Sequence, residues 1–179
     1  MSEYYNMKIA GLERNLEKFA VNEKLDIAAF IIFGDVELTV AGCKKLLEKV
    51  PEFDVILTPE AKSIPLAYEM ARQSGKPYVV ARKGVKVYMG NPIKVSVKSI
   101  TTAKEQCLYL GEADVKILKG KKVLILDDVI STGESLNAIR ELLKAAGGIE
   151  AGACAFLAEG DASERDDIIY LEKLPLFFK

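Results

Sequence analysis

The chain contains no histidine. That excludes every Ser-His-Asp or Cys-His nucleophile and every HExxH metal site. Cysteine is scarce and odd in number: Cys43, Cys107 and Cys154 lie far apart and no CxxC pair exists. Neither a zinc or redox motif nor a disulfide framework is expected, which fits a reducing compartment. An excess of basic charge is also missing. With 25 Lys and Arg against 26 Asp and Glu, the net charge is −1, whereas a surface that coats nucleic acid needs a basic excess to neutralise phosphates. A small anionic ligand held by a few placed cations remains compatible. The opening residues, Met1-Ser2-Glu3-Tyr4-Tyr5, lack the basic-then-apolar layout of a signal peptide, and the longest apolar run, Ile27 to Phe33, falls far short of the ~18 residues a membrane span needs. The expectation is a cytoplasmic protein with neither a membrane nor a nucleic-acid partner.

What is present is globular stock. Half of the 179 residues are apolar, enough for one core in a single domain spanning 1–179. Helix-like and strand-like segments alternate. Thr39 is placed to cap a helix in which Val40, Cys43, Leu46, Leu47 and Val50 recur at helical spacing before Pro51. Asp54 to Thr58 and Tyr78 to Ala81 read as short buried strands. Between them Ser63 to Gly75 reads as a helix with Pro65 in its first turn and a glycine stop. Ile93 to Lys98 alternates with period two. Val123 to Leu126 is a continuous apolar run, as in the centre of a parallel sheet covered on both faces. Ser135 to Ala146 predicts an amphipathic helix, Gly152 to Leu157 a strand, and Ile168 to Leu171 another. Strands separated by single helices imply an α/β fold with a mainly parallel sheet. Residues of about 1–35 and 160–179 fall outside this rhythm and are assigned to a small flanking subdomain.

The segment richest in chemistry is Val123-Leu-Ile-Leu-Asp-Asp-Val-Ile-Ser-Thr-Gly-Glu-Ser135. An apolar strand delivers Asp127 and Asp128 to the carboxyl edge of the sheet, where open α/β sheets bind ligands. Ser131-Thr132-Gly133-Glu134-Ser135 follows and opens a helix, offering free N–H groups, hydroxyls and the positive end of the dipole to a phosphate. Gly133 permits close backbone approach. Two carboxylates one step ahead of such a cradle can accept hydrogen bonds from vicinal hydroxyls. A sugar 5-phosphate is the ligand this pattern suits. Glu134 puts a negative charge beside the phosphate and is expected to turn away from it.

This thirteen-residue string resembles the phosphoribosyl-pyrophosphate (PRPP) signature of type I phosphoribosyltransferases. The resemblance covers roughly Val55 to Phe156 and implies the type I phosphoribosyltransferase fold, with the flanks forming a hood. It implies that Asp127 and Asp128 act in catalysis by holding the ribose hydroxyls, and that Ser131, Thr132, Gly133, Glu134 and Ser135 wrap the 5-phosphate. Thr58-Pro59-Glu60-Ala61-Lys62-Ser63 is similar to the family's pyrophosphate loop, with Lys62 and Ser63 on the pyrophosphate. Ala81-Arg82-Lys83-Gly84-Val85-Lys86 is similar to the basic stretch of purine enzymes, adding Arg82, Lys83 and Lys86. Ser99 to Leu110 falls where the family carries a mobile loop over the site, and Glu105 is its candidate catalytic acid. Magnesium is implied as a companion of PRPP rather than a guest of a protein cage, with no direct metal ligand.

The small Ser131, together with Gly34 to Leu38 and Arg82-Lys83, resembles purine enzymes, with adenine favoured and xanthine or hypoxanthine as alternatives. A PRPP-sensing regulator without catalysis is the reading from a different class. The family likeness also implies a homodimer.

Overall fold

The structure is a computed structural model that describes residues 3–97 and 106–179. Strands β1 (Tyr4–Ile9), β2 (Leu12–Asn22) and β3 (Leu25–Ala28) form an antiparallel meander. Helix α1 (Val36–Leu47), β4 (Val55–Pro59), α2 (Ile64–Ser74) and β5 (Tyr78–Ala81) follow. Then come a hairpin of β6 (Ile93–Val97) and β7 (Gln106–Leu110), α3 (Glu112–Leu118), β8 (Lys122–Ile130), α4 (Glu134–Ala145), β9 (Ile149–Glu159), β10 (Ile169–Leu174) and β11 (Phe177–Phe178). Among the described residues, β10-β9-β8-β4-β5 make a parallel five-stranded sheet, and β1-β2-β3-β11 make the small antiparallel sheet. Of the C-terminal stretch assigned to the flank, Ile169–Leu174 therefore belongs to the parallel sheet and Phe177–Phe178 to the small one.

The parallel sheet is covered on both faces, as its apolar runs require. On one side Leu124, Leu126, Cys154 and Phe156 pack against Leu46 of α1, Met70 of α2 and Phe30 from the small sheet's exit. On the other, Val123 and Ile125 meet Leu136, Ile139 and Leu142 of α4 and Leu108 of the hairpin. Phe156 leaves no room above it: a Cβ added to Gly42 of α1 would lie 2.2 Å from its ring.

Several boundaries differ from the sequence reading. Helix α1 begins at Val36, because Asp35 rather than Thr39 caps it; its carboxylate accepts from the Leu38 N–H at 3.0 Å, and Arg14 of β2 donates to the same group at 2.9 Å. Thr39 instead turns its hydroxyl onto the Asp35 carbonyl at 2.8 Å. Arg14 holds the Asp35 carboxyl below its ordinary range, so a charged cap stitches the small sheet to α1. Gln106–Leu110, expected as part of a loop, is a strand paired with Ile93–Val97. Strand β8 runs on through both aspartates to Ile130 because β9 continues beside it, pairing Asp127 with Ala155 and Val129 with Leu157.

Candidate functional site

The site forms at the carboxyl edge of the sheet, where β4 and β8 lie side by side. The strict alternation of β8 breaks at the aspartates. Leu124 and Leu126 face one core and Ile125 the other, yet beyond Asp128 the odd residue Val129 packs with the first core and the even residue Ile130 with the second. Two neighbouring carboxylates that would otherwise point to opposite faces thus line one cleft of about 390 Å³.

The loop after β4 closes the cleft from the side. Ser63, buried at the start of α2, lies 3.2 Å from both the Pro59 carbonyl and Asp127 Oδ1. Lys62 sets its Nζ 2.6 Å from Asp128 Oδ2. Asp127 Oδ1 also accepts the Asp128 N–H at 2.9 Å. Burial, with the Asp128 charge second, pushes the Asp127 carboxyl above its ordinary range, opposed by those hydrogen bonds. Asp128 is 4% exposed while Lys62 is about half exposed, so the partner that can swing out is the lysine. The Glu60–Ala61 peptide in this loop is cis.

The floor at the other end is the start of α4. Gly133 caps it with φ 83° and has no side chain to bond the first turn; the Thr132 hydroxyl accepts from the Glu134 N–H at 3.5 Å, and the N–H groups that follow are left at the helix's positive end. Thr132, Glu134 and Ser135 line the cleft, and Ser131 lines a neighbouring cavity. Glu134, expected to turn away, stands in the cleft wall because it is the first residue of the helix. Gly133 is hemmed in from outside: a Cβ there would lie 2.5 Å from Arg165 Nη1. Arg165 is oriented by Asp167, which takes its Nε and Nη2 at 2.8 and 2.7 Å.

Of the basic stretch, Lys83 lines the cleft, whereas Arg82 and Lys86 are not in its wall. Arg82 is drawn off by Glu60, 3.2 Å from its Nε, and by the Tyr88 hydroxyl at 3.1 Å. Glu60 also accepts the Lys83 N–H at 2.9 Å, and that bond leads the effects holding its carboxyl below the ordinary range. Glu105 lies outside the described residues.

A second cavity of about 300 Å³ opens beside the cleft, sharing Lys62 and Val129 with it. Most of its lining side chains are apolar, from Ile27 to Ile31 with Val129 and Leu174, and it has one carboxylate, Glu159, at the end of β9. Sequence reading missed Glu159, Glu60 and Arg165. For Glu159 a signal existed: an apolar run, Ala153 to Ala158, ending in an acid repeats the pattern that marked Asp127.

The arrangement places helix-start N–H groups, the exposed lysines Lys62 and Lys83 and two carboxylates able to accept from hydroxyls around one small space. The phosphoribosyl transferase domain matches residues 34–174. The chain is 35% identical to an adenine phosphoribosyltransferase of Pseudothermotoga lettingae, covering 72% of this chain and 78% of that one. It is 33% identical to a hypoxanthine/guanine phosphoribosyltransferase of Methanothrix thermoacetophila over 64% of this chain, of whose length it spans 56%. Among solved structures, adenine phosphoribosyltransferase from Rhodothermus marinus superposes with a TM-score of 0.68 at 18% identity, covering 96% and 94% of the two chains. That likeness carries the fold. With a domain match over most of its length and the paired aspartates and helix start where the fold puts its ligand, the chain belongs to the type I phosphoribosyltransferase family.

Proposed function

We propose that this protein transfers the 5-phosphoribosyl group of PRPP to a purine, adenine favoured, with release of pyrophosphate. The observation that carries the reading is the joining of two aspartates, an open helix start and the Lys62 loop around one cleft, with a second cavity sharing its wall.

In this reading the first turn of α4 and the Ser131–Ser135 segment grip the 5-phosphate, and Asp127 and Asp128 accept from the ribose hydroxyls. Lys62, Ser63 and Lys83 take the diphosphate. For that, Lys62 leaves Asp128, which ribose then satisfies. Arg82 and Lys86 support the loops from behind or move in with the ligand, Arg82 exchanging Glu60 for phosphate oxygen. A ring nitrogen of the base in the neighbouring cavity attacks C1, the bond from C1 to the pyrophosphate oxygen breaks, and positive charge develops on the ribose ring. Positioning and electrostatics supply the acceleration. Glu105 is retained as the acid that handles the base proton. Among the described residues no cluster of three or more acids, cysteines or histidines stands ready as a metal cage. Asp127 and Asp128, carboxylates lining the cleft, would face a magnesium ion arriving with the diphosphate, which would neutralise leaving-group charge.

The working assembly we take to be a homodimer, to which exposed Phe33, Val36 and Tyr68 offer an apolar flank. The cytoplasm is its proposed location, consistent with the absence, among the described residues, of any helix long and apolar enough to cross a membrane. Hypoxanthine is the second reading, favoured by the likeness to the Methanothrix enzyme. Pyrophosphate release should be measured with adenine, hypoxanthine, guanine, xanthine and orotate in the presence of PRPP and magnesium. The proposal expects adenine to give the highest kcat/KM. PRPP binding without product from any base overturns it in favour of a PRPP sensor.

A further inference from the structure

We infer that Glu159 selects the base, accepting a hydrogen bond from an exocyclic amino group and so setting aminopurine against oxopurine. This rests on the transferase reading above and adds to it a residue that the family motifs do not contain.

Glu159 ends β9 on the same sheet edge as Asp127 and Asp128. It lines the cavity between β8 and the chain from Ile27 to Ile31, whose other polar side chains are Lys62 and Ser131. The residue is half-buried, and its carboxylate makes no hydrogen bond or ion pair within the described residues. Most other half-buried acids here are hydrogen-bonded or ion-paired, as Asp35 is with Arg14, Glu60 with Arg82 and Asp26 with Lys179. A carboxylate held partly out of water without a partner costs free energy unless a ligand supplies the donor. Burial raises its pKa, with Lys62 opposing, as expected of an acid awaiting a neutral partner.

The chemistry of the edge decides which base fits. A carboxyl acceptor facing position 6 of a purine gains a hydrogen bond from the amino group of adenine. Facing the carbonyl of hypoxanthine, the ionised group meets a second acceptor and is left both buried and unpaired. A site built around a substrate N–H discriminates strongly for this reason.

The test compares kcat/KM for adenine and hypoxanthine, and KM for PRPP, in the full-length protein and two variants. Glu159→Ala should lower the adenine value by about 10- to 100-fold, the range of one hydrogen bond to a charged group, raise the hypoxanthine value because the opposing acceptor is gone, and leave the KM for PRPP nearly unchanged. Glu159→Gln keeps an acceptor and adds an amide donor able to meet O6. It should hold adenine close to the parent and raise hypoxanthine roughly tenfold, a response that loss of packing would not produce. An unchanged adenine-to-hypoxanthine ratio in both variants overturns the assignment of Glu159 while leaving the transferase reading intact. A rise in KM for PRPP with the base ratio constant also overturns it and moves Glu159 to the diphosphate. A parent protein that turns over no purine overturns both.

Discussion

The pairing of Asp127 with Asp128 should make this protein less stable than a version stripped of half its site. Asp128 is almost fully buried and is neutralised by a lysine that is half in solvent. Burial and the Asp128 charge hold the Asp127 carboxyl above its unfolded value of 3.8. A carboxyl raised in this way contributes stability below its unfolded pKa, and the contribution is lost as pH climbs through the raised value. Native repulsion is thus present at pH 8 and largely absent at pH 5. Asp128→Asn removes a repulsion on the order of 2–3 kcal/mol at an effective dielectric of about 20. It also gives up the Lys62 ion pair, worth up to about 1 kcal/mol at such exposure. The net gain at pH 8 is about 1–2 kcal/mol, a Tm increase of roughly 2–8 °C for a chain of this size. At pH 5 the gain should vanish or reverse, since only the ion pair is then lost. On the proposed function turnover moves the other way: Asp128→Asn removes a charged acceptor for a ribose hydroxyl, and kcat/KM for PRPP should fall about 10- to 100-fold. Thermal melts of both proteins at the two pH values, with PRPP kinetics at pH 8, decide the matter. An Asn variant that melts at or below the parent at pH 8 refutes the argument and makes Lys62–Asp128 a structural ion pair.

Three further outcomes follow from geometry. Gly133→Ala adds a methyl where φ is 83° and Arg165 Nη1 is 2.5 Å away; it should cost about 1–2 kcal/mol of stability and raise the KM for PRPP more than it lowers kcat, measured by melts and steady-state kinetics. Asp35→Ala removes the α1 cap and the Arg14 partner together, and denaturant titration should show a loss of about 1–2 kcal/mol. Asp35→Asn, which keeps the cap without the charge, should recover about half. Gly42→Ala, a gain by helix propensity alone, should instead destabilise by about 1–3 kcal/mol, because the new methyl meets the Phe156 ring at 2.2 Å in a core with no space to yield; a higher melting temperature would show that α1 can shift.

Legibility from sequence tracked the range of the forces involved. Helix α2 was readable because Pro65 and Gly75 act through their own backbones, and the glycine does adopt φ 70° as a left-handed cap. Thr39 misled because its competitor, Asp35, is chosen by an arginine on another sheet. The length of β8 was underestimated because carboxylates have low strand propensity in isolation, whereas the β9 ladder beside them supplies the missing hydrogen bonds. Helix α3, a short stretch from Glu112 to Leu118, went unread because it has too few turns to display a period.

The sequence by itself determined the class of fold and the kind of ligand. An apolar run, two acids and a Ser-Thr-Gly helix start carry their chemistry within thirteen adjacent residues, and the missing histidine closes the main alternative mechanisms. Which cations line the cleft was decided only by tertiary structure. Lys62 and Lys83 line the cleft while Arg82 is diverted to Glu60 and Tyr88, and Glu159 stands beside the cleft from another strand. Charged side chains are long and select partners across space at short range, and residues distant in sequence become neighbours only when the strands are laid side by side.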